Sequence, residues 1–123
     1  MNQKTILLVD DDDISNILNK MIINIADPDI NLIVYSNALD ALEYLQDKKI
    51  TLPDYILLDI NMPVMNGWQF AQKCSENFPN VKIAILSSSD NSEDIDKING
   101  FKNIVQYIIK PMSIESFNEL NKN

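Results

Sequence analysis

Residues 6–13 read ILLVDDDD, four apolar residues followed at once by four aspartates. An apolar run this short and unbroken is the pattern of a strand covered on both faces, as strands are in a parallel sheet. Such a strand delivers its carboxylates to one edge of that sheet. The apolar pattern returns at Ile30–Tyr35, Tyr55–Leu58, Ile83–Leu86 and Ile104–Ile109.

Amphipathic stretches separate these runs. Ile14, Ile17, Leu18, Met21, Ile22 and Ile25 fall on one stripe of a helix, which predicts that this stripe faces the core. Asp27-Pro28 ends it. Ala38, Ala41, Leu42 and Leu45 mark a second helix, with Lys48 and Lys49 at its C-terminal end. Phe70, Ala71, Cys74 and Phe78 mark a third, closed by Pro79. Ile95 and Ile98 mark a short fourth, capped by Ser92 and stopped by Gly100. Ile114, Phe117 and Leu120 mark a fifth, capped by Ser113. Strands alternating with helices predict an α/β fold of five strand–helix units: a doubly wound, parallel five-stranded sheet between two helical layers. Its crossovers should be right-handed.

The length of 123 residues suits one domain, and the expectation is a single domain over 1–123 with no output domain. A hydrophobic share of 46% allows a packed core. The formal charge is −8, with ten Lys, no Arg and eighteen acids, which argues against nucleic acid as a partner. The absence of His removes His-based catalysis and His metal sites, and the chain cannot act as its own phosphohistidine donor. A lone cysteine, Cys74, excludes an internal disulfide and fits a reducing compartment. No apolar run reaches the ~18–20 residues of a membrane span, and the expected location is cytoplasmic.

The polar residues that carry chemistry stand where the strands stop. Asp10 and Asp11 follow the first strand, Asp59 the third, Ser87 the fourth and Lys110 the fifth. In an open parallel sheet, ligand chemistry gathers outside the carboxyl ends of the strands at the switch point in strand order. With the order 2-1-3-4-5, Asp10, Asp11 and Asp59 meet at that point and Ser87 and Lys110 flank them. Crowded carboxylates raise one another's pKa and call for positive charge. Lys110 supplies one, and an oxygen-only donor set favours a hard divalent ion such as Mg²⁺. Asp12 and Asp13 read more simply as a helix cap and its favourable first-turn charge. A calcium loop fails on spacing, since Ile14 and Asn16 fall where it needs an oxygen ligand and a glycine.

Four segments carry a resemblance: LLVDDDD at 7–13, LLDINMPVMNGW at 57–68, ILSSS at 85–89 and YIIKP at 107–111. Through them the chain resembles the receiver domain of two-component response regulators, the chemotaxis-type, flavodoxin-like fold. The resemblance implies that Asp59 is the phosphoryl acceptor. It implies that Asp10, Asp11, Asp59 and the backbone carbonyl of Asn61 hold Mg²⁺ or Mn²⁺, with Asp11 a direct ligand. It implies that Ser87 and Lys110 contact the phosphoryl group and that Ser87 and Tyr107 form the switch. Asn61 and Ser89 would tune dephosphorylation, and the Lys110–Pro111 bond would be cis. The implied partners are a sensor histidine kinase or hybrid kinase, or a histidine phosphotransfer protein, and the implied output is a changed face of helix four, strand five and helix five. The chain would not be an enzyme beyond its own phosphorylation and dephosphorylation. It departs from the commoner family pattern at Asn66, where Asp is more frequent. Trp68, Met62 and Met65 read as packing residues.

Three other functions compete. A haloacid-dehalogenase-type phosphohydrolase also uses a strand-end Asp with Mg²⁺, but it needs an acid two residues on, where this chain has Asn61. A flavin mononucleotide module needs a phosphate-friendly first loop, and four aspartates repel phosphate. A non-phosphorylated interaction module differs only in failing to react at Asp59.

Overall fold

The strands explain themselves by alternation. Ile6 and Leu8 of the first strand point into one apolar cluster and Leu7 and Val9 into another, and all four are fully buried. Leu57 and Ile56, and Ala84 and Ile83, divide in the same way, so the middle positions of a central strand must be apolar. In the computed structural model, which describes residues 3–122, the strands are β1 (Thr5–Val9), β2 (Asn31–Tyr35), β3 (Tyr55–Asp59), β4 (Lys82–Ser87) and β5 (Ile104–Ile109). They form one parallel sheet in the order β2-β1-β3-β4-β5. Asp59 and Ser87 are the last residues of their strands rather than the first residues beyond them.

The helices are α1 (Asp13–Ala26), α2 (Ala38–Gln46), α3 (Gly67–Asn77), α4 (Ser92–Lys97) and α5 (Ile114–Asn121). Helices α1 and α5 cover one face through Ile23, Phe117 and Leu120. Helices α2 and α3 cover the other through Ala41, Leu45, Phe70 and Cys74. Burial pushes the Cys74 thiol up to about 12, as expected of a small core residue rather than a reactive one.

Helix α1 reverses the sequence expectation. Its buried residues are Asn16, Asn19 and Ile23, while Ile14, Ile17 and Ile25 are 69%, 58% and 62% exposed and Leu18 and Met21 are also exposed. Of the predicted stripe only Ile22 packs against the core. The helix is turned this way where Asn16 Nδ2 donates to the Asp10 carbonyl at 2.9 Å, which draws the asparagine side under the sheet edge. Periodicity gives a helix its apolar stripe but not the direction in which a polar anchor turns it.

The caps differ in smaller ways. Asn91, not Ser92, caps α4, its side chain accepting from the Glu93 N–H at 2.7 Å. Gly100 ends a single 3-10 turn (Ile98–Gly100) that continues α4, with no positive φ. Lys48 and Lys49 lie beyond the end of α2, and the Lys49 N–H donates to Asp47. Ser113 caps α5 as predicted.

Candidate functional site

Strand order brings the polar ends together. β1 and β3 are neighbours, so Asp10 and Asp59 stand side by side; β4 pairs with β3, with Ser87 one step beyond the partner of Asp59. Lys110 follows β5, its N–H donates to the Ser87 carbonyl at 2.7 Å, and the Lys110–Pro111 bond is cis.

Asp10 is fully buried, and each of its carboxylate oxygens accepts a hydrogen bond. Its Oδ1 accepts from the Asp12 N–H at 2.9 Å and its Oδ2 accepts from Lys110 Nζ at 2.9 Å. Asp59 is 4% exposed and accepts from the Asn61 N–H at 3.2 Å. Lys110 Nζ is 3.7 Å from Asp59 Oδ1, an ion pair without a hydrogen bond. Burial first, and the charge of Asp10 second, push the Asp59 carboxyl up to about 6, against the pull of the Asn61 N–H and Lys110. Asp11 is exposed. Asp12 is the N-cap of α1, accepting from the Ile14 and Ser15 N–H groups, and Asp13 lies in the first turn, so both do what capping alone requires.

Asp10, Asp11 and Asp59 each offer a carboxylate oxygen, and these oxygens lie within 4.8 Å of one another. Three hard oxygen donors, two buried and one exposed, suit Mg²⁺ or Mn²⁺, hard ions that take carboxylate oxygens and keep several waters. The residues present therefore fit such an ion.

Ser87 is buried, and its Oγ accepts from the Ser89 N–H at 3.0 Å. The Ser89 carbonyl accepts from the Tyr107 hydroxyl at 2.8 Å, and Ser89 Oγ accepts from the Asn91 N–H at 3.1 Å. Tyr107 is half-buried against the core beneath this loop. Tyr107 is tied in this way to the β4–α4 loop, since a phenol can bury its ring while its hydroxyl reaches a carbonyl. Asn61 is exposed and Ser89 half-exposed at the rim.

The loop after Asp59 is held from α3. Asn66 and Gln69 form a reciprocal capping box. The Gly67 N–H donates to the Ile60 carbonyl at 3.1 Å, and a β-carbon on Gly67 would meet Ile60 Cα at 2.5 Å and the Asp59 carbonyl at 2.7 Å. Only glycine allows this approach. Trp68 stacks on Phe101 with centroids 5.9 Å apart, and Met62 is buried, so both pack.

Three contributors escape sequence reasoning. Ser15 contacts Lys110, Asn16 anchors Asp10, and Gly67 sets the Asp59 loop. An asparagine and a serine inside an apolar helix offered a signal for the first two, since a polar residue within the buried arc needs a partner. Asn16 Oδ1 is buried without a hydrogen-bond partner among the described residues.

A 2-1-3-4-5 parallel sheet with an acidic, lysine-paired cleft at its carboxyl edge defines a signalling domain of the response-regulator type. The chain belongs to the response regulator receiver domain family, whose model matches residues 6–121. It is 32% identical over 124 residues to the autoinducer 1 sensor kinase/phosphatase LuxN of Vibrio campbellii, covering 97% of this chain and 14% of that protein. It is 37% identical over 92 residues to the nitrate/nitrite response regulator NarL of Escherichia coli, covering 74% of this chain and 41% of that one. A two-component response regulator from Cytophaga hutchinsonii superposes with a TM-score of 0.89 at 28% identity, covering 99% and 96% of the two chains. The chain thus spans 14% and 41% of the two curated relatives. Among the described residues no helix is long and apolar enough to cross a membrane.

Proposed function

We propose that this receiver takes a phosphoryl group on Asp59 from a phosphohistidine of a sensor kinase, a hybrid kinase or a histidine phosphotransfer protein in the cytoplasm. The observation that carries the reading is the meeting of Asp10, Asp11 and Asp59 with Lys110 at the switch point of the sheet. A carboxylate oxygen of Asp59 attacks phosphorus, the P–N bond to the donor imidazole breaks, and the imidazole nitrogen keeps the electron pair. Asp59 suits the task because a carboxylate is a nucleophile without losing a proton at neutral pH.

The transition state is loose, with charge spread over the phosphoryl oxygens, so the chain's task is positioning and charge balance. Asp10, Asp11, Asp59 and the Asn61 carbonyl would hold Mg²⁺ or Mn²⁺, which when bound supplies positive charge between the carboxylates and the incoming group. Lys110 donates from the far side, and Ser87 lends its hydroxyl. The product is an acyl phosphate, open to water along a path rimmed by Asn61 and Ser89. The chain turns over no substrate other than its own phosphoryl group.

The output follows the hydrogen-bond chain from the site. A phosphoryl oxygen that accepts from the Ser87 hydroxyl draws the Ser87 side chain toward Asp59 and so pulls on the Ser89 N–H, which donates to Ser87 Oγ. Ser89 is linked through its carbonyl to Tyr107 and through its hydroxyl to Asn91, the cap of α4. A change at Ser87 therefore reaches the α4–β5–α5 face in two hydrogen bonds, a packing element biased by local charge.

The test is phosphorylation with a small phosphoryl donor in the presence of Mg²⁺, read by intact mass. Wild type should gain one phosphoryl group, with no gain when a chelator is present from the start and none in Asp59→Asn. An unmodified wild type at saturating donor and ion would leave the chain as an interaction module.

A further inference from the structure

The Lys110 ammonium has three donors. It gives one to Asp10 Oδ2 at 2.9 Å and one to Ser15 Oγ at 3.3 Å, while Asp59 Oδ1 at 3.7 Å lies beyond hydrogen-bond reach. Ser15 stands half-buried in the first turn of α1, and its own backbone N–H is held by the Asp12 cap. The contact joins the front of the chain to the end of β5 across the mouth of the acidic cleft.

We propose that Ser15 is a positioning residue whose hydroxyl holds the Lys110 ammonium on the Asp10 side of the cleft until Asp59 carries a phosphoryl group. The inference rests on the reading of Asp59 as the acceptor. Lysine is a compact charge on a flexible stem, so its head can pivot about Asp10. The pivot has two resting points, the neutral hydroxyl of Ser15 and whatever stands on Asp59. A phosphoryl group brings about −1.5 to −2 charges, and charge-assisted hydrogen bonds are roughly twice as strong as neutral ones. The modified state therefore draws Lys110 away from Ser15. A contact made in the starting state and lost in the product opposes the change by its own free energy. Ser15 thus weakens the hold of the cleft on a phosphoryl group without touching that group.

The probe is beryllofluoride with Mg²⁺, a phosphoryl mimic, titrated into wild type, Ser15→Ala and Ser15→Thr. Alanine favours the helix, so folding is not at risk. Ser15→Ala should bind the mimic about threefold tighter, the size expected for losing one modest hydrogen bond, and Ser15→Thr should stay near wild type. A second readout needs no metal: the Lys110 side-chain NMR signals of the ion-free protein should shift in Ser15→Ala and be kept in Ser15→Thr. Equal affinity in wild type and Ser15→Ala, or unchanged Lys110 signals, would overturn the proposal. A wild type that takes no beryllofluoride would sink the acceptor reading instead, and the ion-free spectra would still decide whether Ser15 holds Lys110.

Discussion

Lys110 pairs with Asp10 at 2.9 Å and leaves Asp59, 3.7 Å away, without a direct donor from its ammonium. The Asp59 carboxylate is thus buried beside a second carboxylate whose counter-ion is already engaged. Burial, and after it the charge of Asp10, push the Asp59 carboxyl up to about 6, against the pull of the Asn61 N–H and of Lys110.

A consequence for stability follows from linkage. The folded chain holds the Asp59 proton more tightly than the unfolded chain does, so between about pH 4 and pH 6 the native state binds more protons and stability falls as pH rises. The cost of ionising Asp59 in the fold is fully present above about pH 6 and gone below about pH 4. At ~1.4 kcal/mol per pH unit it is at most about 3 kcal/mol. Asp59→Asn should therefore stabilise the ion-free protein by up to about 3 kcal/mol at pH 8 and by almost nothing at pH 4. Denaturant unfolding at the two pH values checks this, and an equal effect at both would contradict the assigned electrostatics.

Gly67 predicts a loss that cannot be repaired by side-chain motion. A methyl group there meets backbone atoms, Ile60 Cα at 2.5 Å and the Asp59 carbonyl at 2.7 Å. Gly67→Ala should cost about 1–3 kcal/mol, the range for an unrelieved core insertion. It should also displace the residues that aim Asp59. Gly100→Ala, with nothing within 4 Å of the added carbon, is the control and should leave both stability and phosphorylation unchanged. Unfolding midpoints and phosphorylation extents of the two variants, measured side by side, decide the matter.

What could be read from the chain and what could not divide along a physical line. The strands and the polar residues at their carboxyl ends, Asp10, Asp11, Asp59, Ser87 and Lys110, were legible because buried parallel strands must be apolar along their middles and the sheet leaves its chemistry one edge; the order 2-1-3-4-5, on which their convergence depends, came with the common form of this fold and not from the apolar pattern. The stripe on α1 was legible as a pattern and misleading as a direction, since rotation about a helix axis is set by tertiary anchors such as Asn16, not by periodicity. The position of Tyr107 was not legible, because whether a phenol lies in or out depends on a carbonyl eighteen residues away, that of Ser89. The cap of α4 was missed by one residue, a choice between neighbouring Asn91 and Ser92 that sequence preference does not resolve.

The orientation of α1 makes its own prediction. Ile17, 58% exposed, can become Gln with a change inside about 0.5 kcal/mol, the usual range for a surface position. Ile23, 2% exposed, should cost about 2–5 kcal/mol when cut to Ala. A helix rotated to bury the predicted stripe would invert the ranking. Urea unfolding of the two single variants therefore reads the rotation of the helix directly.

Val64 offers the opposite case, a residue whose replacement should improve the fold. Its φ is 67°, and the Met65 N–H donates across it to the Pro63 carbonyl at 2.8 Å, closing a three-residue turn in the loop that follows β3. A β-branched side chain crowds the backbone at positive φ, and such positions cost about 1–3 kcal/mol. The side chain gains little in return, being 89% exposed. Glycine would remove the strain but brings roughly 0.5–1 kcal/mol of extra unfolded-state entropy. The strain should win, and Val64→Gly should raise stability by about 1 kcal/mol, with Val64→Ala between the two. The measurement is the urea midpoint of the three proteins at fixed pH. A Val64→Gly midpoint below that of wild type would mean that the turn relaxes around valine and stores no strain next to Asp59.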